Sequence, residues 1–206
     1  MNGGAHVVSD GRAVSFGSAV ADDDELRVCG DVRGKRAIEL GVFGTVPNSV
    51  TLASRGARSI AVDPSHDNIA RARRAAADAE VAVEFHHGEL ADLGFLMNAV
   101  LDLALCVHRV DADTDIARLF RQVHRVLRPE AGLVLAVTHP MSAVFDGGDP
   151  IARRRYGSTT PTIGEYTMAL QRANFSIDVL HELNPLDRPH SVAPTVLVVR
   201  ARKLGS

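Results

Sequence analysis

The feature that most constrains this chain is the alternation of short apolar runs with helical patterns through its first two thirds. Arg36–Leu40, Ser59–Val62, Val83–His87, Asp102–Cys106 and Gly132–Val137 read as strands, four of them strongly apolar. Between the last two, Ile116, Leu119, Phe120, Val123, Val126 and Leu127 repeat at helical spacing, the clearest amphipathic stretch in the sequence. Strands separated by helices pair in parallel through right-handed crossovers. The expected fold is therefore α/β: a Rossmann-like, doubly wound, mostly parallel sheet with helices on both faces. Two closing runs, Phe175–Leu183 and Thr195–Arg202, are joined by a proline-containing loop and add an antiparallel strand pair at the C-terminus.

Local signals punctuate this pattern. Asp22–Glu25 places acid at the start of a short helix, where the helix dipole favours it. Asn48 or Ser49 is a cap for the next helix, which stops near Gly56, and Ser65 caps a longer one from His66 to about Glu80. Arg128-Pro129 ends the amphipathic helix. Thr162 and Glu165 have capping-box spacing and open a helix to Ala173, with Asn174 as a left-handed cap. Residues 1–21 lack periodicity and read as a mobile arm, and 141–160 are irregular. No internal repeat is present, so residues 1–206 are expected to form one domain.

Composition narrows the function classes. The chain is 46% hydrophobic and 23% charged with a formal net charge of −2, so no basic excess is available for nucleic acid or an anionic membrane. Aromatic residues make up 4% and tryptophan is absent, which disfavours stacking platforms for single strands. No apolar run approaches the ~20 residues of a membrane span. Cys29 and Cys106 form no disulfide framework, which points to a cytoplasmic setting.

Several segments acquire meaning together: Ile38-Glu39-Leu40-Gly41 with Gly44, Ala61-Val62-Asp63-Pro64-Ser65, His87-Gly88-Glu89-Leu90, and Val126-Leu127-Arg128-Pro129 with Gly132. In this order, with the terminal strand pair, the sequence resembles a class I S-adenosylmethionine-dependent methyltransferase of the small-molecule type. The resemblance spans about 32–202. It implies S-adenosyl-L-methionine as cofactor, S-adenosyl-L-homocysteine as product and a small molecule as methyl acceptor.

It also implies roles. Glu39 at the end of the first strand would accept hydrogen bonds from the cofactor amino group or order water beside it. Gly41 and Gly44, with Phe43 between them, would bring backbone close to the ligand. Asp63, followed by Pro64, would accept both ribose hydroxyls. Glu89 and Leu90 match the acidic-apolar pair at the adenine, and Cys106 to His108 match the segment between cofactor and acceptor.

The sequence departs from the family pattern on the ligand side. The loop Gly41-Val42-Phe43-Gly44-Thr45-Val46-Pro47 is irregular, placing Val46 where a third glycine would stand. The segments after the fourth strand and between Pro150 and Thr162 are short, and few residues precede the sheet.

Methyl transfer is an in-line displacement that asks mainly for positioning and exclusion of water. His108 and His139, each just beyond a strand, are the candidate bases for an acceptor proton. The Arg153-Arg154-Arg155 run reads first as a solvated loop and second as a site for an anionic acceptor. Neighbouring His86 and His87 point to opposite faces of a strand and cannot readily share a metal, so no metal site is expected. No Gly-x-Ser-x-Gly elbow supports a hydrolase. Two other readings stand beside the enzyme: a methyltransferase-like binding or scaffolding protein without catalysis, and a nicotinamide-dependent oxidoreductase, whose Gly-x-Gly-x-x-Gly is absent.

Overall fold

The structure, a computed structural model, describes residues 12–145 and 150–205. Seven strands form one sheet: β1 Arg36–Leu40, β2 Arg58–Asp63, β3 Val83–His87, β4 Leu101–Val107, β5 Leu127–Thr138, β6 Phe175–Leu183 and β7 Val196–Lys203. Their order is β3-β2-β1-β4-β5-β7-β6. β1 to β5 pair in parallel, and β7 lies antiparallel between β5 and β6. The chain winds outward from β1 to β3 and then returns to β4. The carboxyl ends of β1 and β4 therefore flank a topological switch point, where such sheets open a crevice.

Period-two side-chain alternation divides the central strands between two cores. Ile38, Leu40, Ala104, Cys106, Leu133, Leu135 and Val137 face one core, which also takes Leu119, Phe120, Val123 and Val126 from α4 (Ile116–Val126) and Leu170 from α5 (Ile163–Arg172). Ala37, Leu103, Leu105, Val107, Val134 and Ala136 face the other, against Leu52 of α2 (Asn48–Ser54). Val14, Phe16 and Val20 complete this second core. Residues 12–21 are thus not a mobile arm: Phe16 is 0% exposed, because the sheet face beside α2 needs an apolar cover. Residues 1–11 of that expected arm, and 146–149 of the irregular segment, lie outside the described residues.

Caps set most boundaries. Asp22 caps α1 (Asp23–Leu26), Ser65 caps α3 (His66–Asp78) and Asp115 caps α4, each accepting a backbone N–H of the first turn. Thr162 and Glu165 form the reciprocal capping box, and Asn174 has φ 63° after α5. β5 begins earlier than its apolar run. Pro129 disfavours helix at Arg128, so α4 passes directly into Leu127, which already pairs with Leu101. α2 is the exception among the caps. Pro47 occupies the cap position and offers no side-chain bond, while Asn48 and Ser49 lie inside the helix. The missing acceptor comes from Glu39.

Candidate active site

Glu39, at the end of β1, is 0% exposed. Its Oε1 accepts from Phe43 N at 3.2 Å and Asn48 N at 3.1 Å, and its Oε2 accepts from Ser49 N at 2.8 Å. One carboxylate thus closes the glycine loop and satisfies the first N–H groups of α2, where the helix dipole favours negative charge. Burial pushes the Glu39 pKa up, and these N–H bonds oppose the shift. The Glu39 oxygens thus shape the loop from behind. Asn48, invisible as a site residue in the sequence, exchanges two bonds with Ser15, N–H to Oδ1 at 2.8 Å and Nδ2 to carbonyl at 3.0 Å. That pair fastens the N-terminal segment to the start of α2.

Gly41 and Gly44 adopt φ 82° and 79°, the left-handed region that glycine enters freely. Val46, at the position of a third glycine, has no positive φ, so its β-branched side chain meets no left-handed strain. The loop takes its turn at Gly44 instead, where Arg71 donates to the carbonyl.

Asp63, ending β2, is also 0% exposed. Oδ1 accepts from Ser65 N at 2.8 Å, Oδ2 accepts from Val42 N at 2.8 Å, and Asn68 Nδ2 reaches both oxygens at 3.1 and 3.2 Å. The fourth donor is a charged side chain. Arg109, just beyond β4, donates Nη2 to Asp63 Oδ2 at 2.5 Å. Its stem crosses Gly41 so closely that an added Cβ there would stand 2.6 Å from Arg109 Nε. The space freed by the glycine is filled by this arginine. Nothing in the sequence marks it, because Arg109 meets Asp63 only through the adjacency of β1 with both β2 and β4.

Outside Arg109 lies a crevice of about 650 Å³, walled by Pro64, Glu89, Leu90, His108 and Arg109 and rimmed by the Asp111–Asp115 turn. Four of the site residues expected from sequence therefore share its wall, while Gly41 and Asp63 sit behind Arg109. Phe43 is one layer back, its ring centroid 5.0 Å from that of His108. Cys106 is not on the wall. It is buried in β4, and burial pushes its thiol up to about 12, so it is a packing residue.

The two histidines differ. His108 has φ 50°, unusual for a residue with a side chain, and its Nε2 bonds the Phe16 carbonyl at 2.8 Å. With Nε2 donating, Nδ1 carries the ring's lone pair. Burial lowers the His108 pKa below 6.5. The unfolded chain therefore takes up this proton first as pH falls, and the His108 contribution to stability, full above about pH 6.5, is lost as pH drops through the folded-state value. Thermal unfolding at pH 7 and pH 5 should show wild type losing more stability than His108→Asn, since asparagine tolerates the left-handed turn without titrating.

His139 is 2% exposed and has no free nitrogen. Nδ1 accepts from Met141 N at 3.1 Å and Nε2 bonds Glu182 Oε1 at 2.8 Å. The expected base is instead a tie between the end of β5 and β6. His86 and His87 part company as their strand requires. His87 bonds the Pro64 carbonyl and stacks on His66, whereas His86 pairs with Glu84 and stacks on Phe95. Among the described residues, no cluster of three or more His, Cys, Asp or Glu could hold a metal ion.

A family model described as "Methyltransferase domain" matches residues 38–130, from β1 into β5. An S-adenosylmethionine-dependent methyltransferase from Mesorhizobium loti superposes with a TM-score of 0.70 at 25% identity, covering 87% of this chain and 96% of that one. Residues 38–130 thus match a methyltransferase domain, and the fold is that of S-adenosylmethionine-dependent methyltransferases. A geranyl diphosphate C-methyltransferase from Streptomyces coelicolor A3(2), solved with Mg2+, geranyl diphosphate and S-adenosyl-L-homocysteine, shares the fold at TM-score 0.68 and 12% identity, covering 87% of this chain and 76% of that one. So does the [4+2]-cyclase SpnF, with TM-score 0.68 and 16% identity, covering 97% of this chain and 88% of that one. No curated protein matches the sequence. In this methyltransferase fold, no helix among the described residues is long and apolar enough to cross a membrane.

Proposed function

We propose that this methyltransferase-fold chain binds S-adenosylmethionine at the carboxyl ends of β1 and β2 and transfers its methyl group to a small molecule, leaving S-adenosylhomocysteine. The observation that carries the reading is the pairing of a left-handed Gly41, with no Cβ to fill the approach, and a buried Asp63 carboxylate beside it. The residues fit the cofactor once the Arg109 side chain is moved aside, since the room over Gly41 is taken by a side chain and not by backbone. The bound cofactor supplies an electrophilic methyl group on a sulfonium. Asp63 accepts the ribose hydroxyls, Pro64 and Leu90 give the adenine an apolar wall, and Glu89, exposed on the same wall, accepts from its exocyclic amine. His108 Nδ1 takes the acceptor's proton where the acceptor is a hydroxyl or amine. The two free cysteines, both buried, fit a reducing cytoplasm.

The second reading, a methyltransferase-like binding module without catalysis, is favoured by one feature: Arg109 already holds the ribose-binding acid. Calorimetry with S-adenosylmethionine and S-adenosylhomocysteine separates the two. The enzyme reading expects saturable binding with a dissociation constant below about 1 mM. No heat of binding at millimolar cofactor, in wild type and in Arg109→Ala alike, would overturn it.

A further inference from the structure

The four donors on Asp63 are not equivalent. Val42 N and Ser65 N belong to the loops after β1 and β2, and Asn68 to the first turn of α3. They satisfy both oxygens without Arg109. The arginine alone lines the crevice, its side chain 28% exposed. It occupies the room over Gly41 and a lone pair of the one carboxylate that a ribose diol would use.

The guanidinium also has somewhere else to go. The same crevice is lined by Glu89 and Asp113, whose carboxylates have no hydrogen bond or ion pair among the described residues. A guanidinium released from Asp63 finds anionic partners on its own rim, so it need not end unpaired. The backbone need not move either. The left-handed turn at His108 is fixed by the bond to the Phe16 carbonyl and the bond from His108 N to Ala136 O at 2.7 Å. Rotation about Arg109's own side-chain bonds carries the exchange.

We propose that Arg109 is an internal competitor for the ribose-binding carboxylate. With its guanidinium on Asp63 the crevice is closed to a nucleoside, and with it on the Glu89 and Asp113 rim the crevice is open. Arg109 thereby sets the affinity for any ligand that presents a vicinal ribose diol. The inference rests on the cofactor-binding reading above. A ligand that binds only the open state has its affinity reduced by the fraction of molecules that are open.

The test is calorimetry of S-adenosylhomocysteine against wild type, Arg109→Ala and Arg109→Gln, with thermal melts to establish that each variant is folded. Two variants guard against one failing to fold, since the glutamine keeps part of the stem over Gly41. Binding tighter by roughly tenfold or more in either folded variant is the expected result. Equal or weaker binding in the variants, with wild type binding normally, overturns the role of Arg109 and leaves the cofactor reading intact. Absence of binding in all three proteins overturns both.

Discussion

Asp63→Asn is expected to abolish measurable cofactor binding and to cost about 2–4 kcal/mol of stability. The reason lies in the count of donors. Two backbone N–H groups, the Asn68 amide and the Arg109 guanidinium converge on two fully buried oxygens. An asparagine offers one oxygen and one NH2, so whichever way it is turned a donor faces a donor. The ion pair to Arg109 is lost at the same time. Arg109 is partly exposed and turns to solvent or the acidic rim, which keeps the cost below that of stranding a fully buried charge. Denaturant unfolding gives the stability term and calorimetry the binding term. A folded Asp63→Asn protein with wild-type affinity would remove Asp63 from the site.

Glu39→Ala is expected to cost about 3 kcal/mol and to loosen the glycine loop and the start of α2 together. Three N–H groups, those of Phe43, Asn48 and Ser49, lose their acceptor, at about 1–3 kcal/mol for each one left buried and unpaired. The burial that raises the Glu39 pKa works the other way, because removing a desolvated charge returns part of that cost. The net loss is therefore smaller than the sum. Hydrogen exchange at Phe43, Asn48 and Ser49 should quicken in the variant, while amides of β5 and β7 keep their protection. Unchanged exchange at these three positions would show that the loop does not depend on Glu39.

Both predictions concern carboxylates that the sequence singles out and whose bonding only the structure reveals. The acid near the end of β1 and the acid that ends β2 stand out because each lies in an apolar run that closes on glycine or proline. That they face N–H groups of their own chain follows from how the loops fold back. His139 shows the opposite case. It has the right residue type at the right end of a strand, yet Glu182 lies across from it in the hairpin strand and takes its free nitrogen. The N-terminal segment was illegible for a related reason. Val14, Phe16 and Val20 carry no helical or strand period, so nothing local predicts that they cover the sheet; a vacant apolar face recruits them.

The sequence by itself determines the α/β class, the strand and helix positions and the two acids at the strand ends, because periodicity, caps and turns are local and each is set by residues within a few positions. Only the tertiary structure decides what those acids bind. Arg109 reaches Asp63 across 46 positions, His108 reaches Phe16 across 92 and Asn48 reaches Ser15 across 33. Such meetings depend on which strands become neighbours at the switch point, and no pattern along the chain encodes a guanidinium lying over Gly41.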